Sequence, residues 1–296
     1  MKKITKRRKR LSAFDIFLYV FFGILACLTI YPFYNAIIIS LTNTVSYIKN
    51  APYLLPYTVD FSAYKEIMND KFFFSSFMVT VFITVVGTFF SMIFSISTAY
   101  VLSRKNLPGR KFFLSFILFT MLFSGGMVPT YIVVSKLGFL DNVWAMIIPC
   151  MLSTYYIMIM KNYFQSLPVS LEEAAKIDGA NDFQVLIKIY LPISKPFMAT
   201  FTLFYAVERW NEWWNAHLYI IDKNLKPLQT YLREILATYN SQLAPQLQSL
   251  EESKMKIFPQ AIHMATIIIT MIPILCFYPF LQKYFVKGVM IGSVKE

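Results

Sequence analysis

The sequence predicts an all-α integral membrane protein with six transmembrane helices, and three observations lead there. Residues of the AVILMFWYC set make up 57% of the 296 residues and charged residues only 15%, against roughly 25% charged in soluble domains. Five stretches run 19 residues or more without a charge, and a span needs about 20 apolar residues to cross the hydrocarbon. Seven of the first ten residues are basic (Lys2, Lys3, Lys6, Arg7, Arg8, Lys9, Arg10) and sit directly before an apolar run. So few charges cannot cover a soluble surface, and so apolar a chain is not disordered. Cys27, Cys150 and Cys276 are odd in number and lie in apolar runs, which excludes a disulfide scaffold.

The spans follow in order. Between Asp15 and Lys49 lie 33 uncharged residues. That is longer than the roughly 7–15 residues of a signal-peptide core, and no A-x-A site follows, so the segment reads as a retained anchor. The next stretches hold 32 residues (Lys71 to Arg104), 24 (Lys111 to Lys136) and 19 (Asp141 to Lys161), and the sixth holds 26 (Lys256 to Lys283). The fifth is interrupted. Only 12 uncharged residues separate Lys195 from Glu208, but the apolar pattern resumes past Arg209 and Glu212 and makes 196–221 long enough.

Charge sets the orientation. Segments 1–15, 103–111, 161–196 and 283–296 carry 18 Lys and Arg, and the opposite segments 42–71, 136–141 and 222–256 carry 9. The positive-inside rule then puts both termini in the cytoplasm of a plasma-membrane protein. The organisation is a basic N-terminus (1–15), a six-helix transmembrane domain (16–282) and a cytoplasmic tail (283–296). The net charge of +12 does not point to nucleic acid, because no groove-reading motif accompanies it. The basic N-terminus pairs with anionic membrane lipid instead. Among the longer connections, 42–71 contains Pro52 and Pro56, and 222–256 has a helix-like stretch at 228–238. No internal repeat of the kind found in many secondary transporters is visible.

The inner loop 168–192 reads PVSLEEAAKIDGANDFQVLIKIYLP. Ser170 with Glu173 forms the pattern of a capping box. Glu172 and Glu173 suit the first turn of a helix, and Gly179 is placed to end it. Asn181 or Asp182 is placed to cap a second short helix. Phe183, Leu186, Ile187 and Tyr190 make one apolar face, and Leu191-Pro192 stops it. The loop is therefore two short helices about a glycine elbow at the cytoplasmic surface, and an interfacial amphipathic helix remains the plain alternative.

The spacing adds more. Glu173-Ala174-Ala175, three residues, Gly179, nine residues, Ile189, one residue and Leu191-Pro192 resemble the EAA loop of ABC-importer permeases at every fixed offset. Resemblance continues in the basic N-terminus, the 123–149 segment FSGGMVPTYIVVSKLGFLDNVWAMIIP, Trp210-Asn211-Glu212, and the tail with Lys287, Gly288, Gly292, Ser293, Val294 and Lys295. These are similar to carbohydrate-uptake permeases of the maltose-system type. GGMVPTY and Pro227-Leu228-Gln229 look closest to the subfamily for complex oligosaccharides and polysaccharide fragments. The resemblance implies the type I ABC importer permease fold. It implies a coupling helix that docks on a cytoplasmic ATPase subunit through Glu172, Glu173, Ala174, Ala175, Asp178 and Gly179, with Leu191 and Pro192 closing the motif. It also implies a second homologous permease, two ATPase subunits, and an extracellular substrate-binding protein that delivers an oligosaccharide. ATP and Mg are expected on the partner subunits and no cofactor on this chain.

The rest of the chain agrees with an energy source outside it. None of the nine glycines stands in G-x-x-x-x-G-K-[ST], so no P-loop is present. No H-E-x-x-H or G-x-S-x-G occurs, which leaves an intramembrane hydrolase without a nucleophile or metal motif. His217 and His263 are too few for a proton relay, and a two-His metal site stays open. The fifth span reads FYAVERWNEWWNAHLYI over 204–220. Glu208 falls near mid-depth, where a charge costs about 2.5–3.5 kcal/mol and therefore faces protein or water. Glu208 and Glu212 are spaced to share a helix face, among Trp210, Asn211, Trp213 and Trp214. Aromatic faces with polar groups suit sugars, which makes these residues candidate pathway positions. An outer aromatic belt with a Glu208–Arg209 packing pair is the structural alternative. Gly125, Gly126 and Pro129 interrupt the third span, as cavity-lining broken helices do, and Tyr131 follows them. Two rival functions remain: an ion-coupled symporter using Glu208 and Glu212, and a non-transporting membrane scaffold or enzyme.

Overall fold

The computed structural model describes residues 12–43, 59–246 and 260–276, with side chains of 238–246 outside the description. Among the described residues the chain is helical throughout. It divides into two compact units, one of 1–67 with 238–269 and one of 68–237 with 270–296.

In the first unit, α1 (Ala13–Ser40) is a 28-residue helix whose Ser12 accepts from the Phe14 amide and completes a capping box with Asp15. Only Ala36, Ile38, Ile39 and Ser40 near its end are buried. The rest is apolar all round, as a lipid-facing helix is. The Ser40 and Tyr64 hydroxyls meet at 2.7 Å where α2 (Ser62–Asn69) begins.

The second unit is built on α3 (Lys71–Ser103), 33 residues capped by Asp70. Its buried face is a ladder of small or polar residues: Ser76, Thr80, Gly87, Thr88, Ser91, Ser95 and Ala99. Small residues at near four-residue spacing let helices approach closely in lipid, where packing and hydrogen bonds replace the hydrophobic drive. Two helices use that face, α6 (Thr154–Ser166) and α9 (Lys195–Trp210). Their shared core includes Tyr100, Met160, Phe164, Tyr190, Phe201 and Tyr205.

Three of the predicted spans are not single straight helices. The third apolar stretch forms α4 (Arg110–Leu122) and α5 (Met127–Lys136), bent by 115° at the Gly125–Gly126 break. Gly126 has φ +87°, which favours glycine. The fourth stretch starts as a short 3-10 turn (Val143–Met146), runs through bends past Pro149, and becomes α6 only at Thr154. The fifth ends its first helix at Trp210 and restarts as α10 (Trp214–Tyr219). Two described helices, α1 and α3, are long and apolar enough to cross a membrane alone, or three spans if the bent pair counts as one. The helix expected at 228–238 is longer, α11 (Leu228–Gln246). The sixth stretch contributes α12 (Gln260–Cys276), and the remainder of that stretch, like the tail and the N-terminal basic residues, lies outside the described residues.

Candidate functional site: the glycine elbow and the broken span

The elbow begins with α7 (Val169–Ile177). Ser170 does not cap it. Pro168 stands at the N-cap with no side-chain bond, and the Leu171 amide bonds the Pro168 carbonyl at 3.2 Å. The helix therefore starts before the capping box can form.

Its end is as expected. Gly179 has φ +81°; its amide bonds the Lys176 carbonyl at 3.1 Å, and the Ala180 amide bonds the Ala175 carbonyl at 2.9 Å. This pair of bonds is a Schellman motif, which reverses the chain within three residues. Asn181 then caps α8 (Asp182–Val185) in a capping box with Gln184. A five-residue π turn follows (Leu186–Tyr190), then one helical turn (Leu191–Ile193) that runs on into α9. Leu191-Pro192 does not stop the helix. The wider π turn, with Leu191 N–H on the Leu186 carbonyl, makes room for a proline that has no amide and crowds the preceding turn.

The π turn also rotates the apolar face. Val185, Leu186 and Tyr190 are buried, whereas Phe183 and Ile187 face outward. On α7, Glu173, Ala174, Ile177, Asp178 and Gly179 are exposed, and Ala175 is buried. Glu172 turns inward: its carboxylate pairs with Arg104, and with Lys176 at 2.9 Å.

The second cluster surrounds the fifth span. Arg209 is buried and points into the bundle. It donates to the Met146 carbonyl at 3.0 Å, to the Cys150 carbonyl, and to the Ser91 hydroxyl at 3.4 Å. Irregular backbone at membrane depth must find partners inside the protein, and the guanidinium supplies them to the non-helical part of the fourth stretch. It does not pair with Glu208. Glu208 faces outward and accepts from the Tyr156 hydroxyl at 2.5 Å.

Glu208 and Glu212 do not share a helix face, because α9 ends between them. Glu212 instead lies one residue before the Trp213 N-cap of α10 and accepts from the Asn215 backbone and side-chain amides at 2.8 Å each. Asn211 is exposed and accepts from Gln229 Nε2 at 3.3 Å. Trp213 lies under the Arg233 guanidinium, 3.3 Å from the ring centre. Trp210 is buried away from Glu208, edge-on to Phe77 with its indole N–H on the Thr270 carbonyl at 3.4 Å. Gly125 and Gly126 are exposed, and Tyr131 stacks on Tyr219 at 5.8 Å. Asn211, Glu212 and Trp213 thus sit at the α9–α10 break and Tyr131 meets the end of α10 through Tyr219, whereas Glu208 turns to Tyr156, Trp210 packs inward, and Gly125 and Gly126 contact only their own segment among the described residues.

Three residues here were not singled out as site residues from sequence. Arg104 and Asp141 appeared only as span boundaries. Asp141 holds φ +55° and accepts from the Ile221 and Asp222 amides at 2.9 and 2.8 Å, which fastens the turn after α5 to the end of α10. Arg209's position in a span was the signal for its role.

The sequence profile of the family described as "binding-protein-dependent transport system inner membrane component" matches residues 67–291. The chain belongs to that family. The permease is 42% identical over 282 residues to the polygalacturonan/rhamnogalacturonan transport system permease protein YtcP of Bacillus subtilis, covering 95% of this chain and 98% of that one. It is also 42% identical over 284 residues to protein LplC of the same organism, covering 95% of each. A chain in the crystal structure of a bacterial ABC transporter involved in import of the acidic polysaccharide alginate superposes with a TM-score of 0.83 at 36% identity, covering 92% of this chain and 96% of that one. The permease therefore has the type I ABC permease fold and is a membrane-embedded transport component.

Proposed function

We propose that the permease is the transmembrane subunit of an ATP-driven importer of an oligosaccharide, delivered by an extracellular binding protein. It pairs with a second, related permease and two cytoplasmic ATPase subunits, which carry ATP and Mg. Six membrane crossings, some of them broken, put both termini in the cytoplasm. Acidic oligosaccharides are the first class to test, because one similar protein is named for polygalacturonan/rhamnogalacturonan transport and a similar structure is of a transporter involved in import of the acidic polysaccharide alginate.

The observation that carries this reading is the elbow. The Schellman turn at Gly179 presents Glu173, Ala174, Ile177 and Asp178 together on one exposed knuckle, while Glu172 and Ala175 hold it to the body. A carboxylate gives a charge-assisted contact to a basic partner residue, and small residues allow close approach. Closure of an ATPase dimer on ATP draws two such knuckles together and rocks the spans to open outward; hydrolysis resets them. Glu208, Asn211, Glu212, Trp213, Gly125, Gly126 and Tyr131 border the sugar path, with Trp210 a packing residue behind it, and the second permease shares the sugar contacts.

A symporter gains no support from the geometry, since the Glu212 carboxylate is occupied at the α10 N-terminus and Glu208 stands apart from it. The test is uptake of trigalacturonate into proteoliposomes holding both permeases and the ATPases with their binding protein. Uptake that needs lumenal ATP and no ion gradient is expected; uptake driven by a proton gradient without ATP overturns the reading.

A further inference from the structure

The elbow is fastened to α3 by a contact that the EAA motif does not contain. Arg104 is the C-cap residue of α3. Its Nη1 pairs with Glu172 of α7. Its guanidinium lies 4.0 Å from the Tyr100 ring centre and 5.0 Å from that of Tyr190. Nε and Nη2 are buried without a hydrogen-bond partner among the described residues, so aromatic faces and one carboxylate hold this cation. The side chains of Arg104 and Glu172 are 20% and 13% exposed. The neighbouring Lys176–Asp182 pair is 49% and 69% exposed, and exposed pairs contribute little. A shielded pair behaves differently: removing Glu172 strands the Arg104 charge, and removing Arg104 leaves Glu172 with only the half-exposed Lys176 at 2.9 Å.

A second tie lies one turn earlier on α3. The Tyr100 hydroxyl donates to the Asp182 carbonyl at 2.9 Å. The first limb of the elbow is thus held through Glu172 and the second through Asp182, both by the last turn of α3. That helix is 33 residues long, about 50 Å at the α-helical rise. Farther along it Ser91 bonds Arg209, and Thr80 accepts the Leu228 amide at 2.7 Å.

We propose that Arg104 is a positioning residue that makes the elbow and α3 move as one body, so that a displacement of the knuckle reaches the far end of α3 directly as well as through α9. This rests on the importer reading. Loss of the charge frees the first limb to move without α3, and the stroke then dissipates in the elbow.

The test uses the assembled complex, with Cys27, Cys150 and Cys276 replaced and spin labels on Val169→Cys, exposed at the start of the elbow's first limb and outside the docking knuckle, and Phe89→Cys on the exposed face of α3. In the parent complex the label-to-label distance is expected to stay the same when ATP and vanadate are added. In Arg104→Met, which keeps the bulk and loses the charge, ATP is expected to bring a second, shifted population. Arg104→Lys is expected to return most of the signal to the parent distance, which a loss of packing alone does not predict. Glu172→Gln repeats the test from the other partner should Arg104→Met fail to assemble. A parent distance that shifts with ATP, or Met and Gln variants that keep the parent distance, overturns the link. A complex that purifies without ATPase subunits instead removes the importer reading beneath it.

Discussion

The backbone of α3 passes the Arg209 side chain at Gly87 so closely that a Cβ there would lie 3.2 Å from both Cδ and Nε. The glycine is therefore the slot through which a buried cation reaches the Met146 and Cys150 carbonyls. Arg209→Met is expected to leave the Cys150 carbonyl and Ser91 without this donor and the Met146 carbonyl with only the Cys150 thiol at 3.6 Å, at about 1–3 kcal/mol for each buried group stranded. A thermal melt of the purified permease checks this, with a large fall expected. Gly87→Leu should reproduce most of that fall by closing the slot, and an unchanged melting temperature in both variants would contradict the assignment.

Much of this was legible in the sequence, and the misses have two causes: partners distant along the chain, and local backbone that departs from the regular α-helix. Gly179 as a helix end, a cap at Asn181 or Asp182 and the Gly125–Gly126 break were readable because each depends on neighbours within a few residues. The inward turn of Glu172 was not, because its partner Arg104 is 68 positions away. The break in the fourth stretch was not legible, because hydropathy counts apolar residues and is blind to whether their carbonyls are bonded by a helix or by Arg209. The apolar face of α8 was read at α-helical period, and the π turn at Leu186–Tyr190 rotated it.

Tyr205 offers a milder probe of the same bundle. Its hydroxyl meets Ser95 Oγ at 2.7 Å and accepts from the Ser153 amide at 3.3 Å. Tyr205→Phe keeps the ring and removes both bonds, at a cost of roughly 1–3 kcal/mol. The melt should fall by less than in Arg209→Met, with assembly retained; a larger fall would mean that the Tyr205 hydroxyl, not Arg209, anchors the start of α6.

Gly179→Val isolates the turn itself. Nothing lies within 4 Å of a Cβ at this position, so the cost is purely that of a β-branched residue at positive φ, about 1–2 kcal/mol. The elbow is expected to open while the bundle stays folded. Near-normal melting with strongly reduced ATP-dependent uptake is the expected pairing of results. Normal uptake would show that the reversal at Gly179 is dispensable.

Glu208→Gln separates transport by ATP from transport by ions. The amide still accepts from the Tyr156 hydroxyl, now bonded at 2.5 Å, so the contact survives while the charge is lost. An importer whose energy enters at the elbow should retain uptake within a few-fold of the parent. A symporter that protonates Glu208 should show ATP-independent, proton-driven uptake in the parent and none in the variant, and that pair of results would reverse the choice between them; loss of ATP-driven uptake alone would instead place Glu208 among the sugar contacts.

Glu173→Lys tests the knuckle where it meets a partner. Glu173 is exposed and makes no ion pair among the described residues, so reversing its charge removes nothing inside the chain, in contrast to the neighbouring Glu172. Insertion and melting temperature should be unchanged. If the carboxylate meets a basic ATPase residue, reversal sets two like charges against each other, which costs several kcal/mol at an interface and should release the ATPase subunits from the purified complex. Co-purification at the parent ratio together with normal uptake would place the coupling contact elsewhere on the cytoplasmic surface. Loss of the ATPase with the permease still folded would assign the contact to Glu173, because the chain's own structure does not depend on that charge.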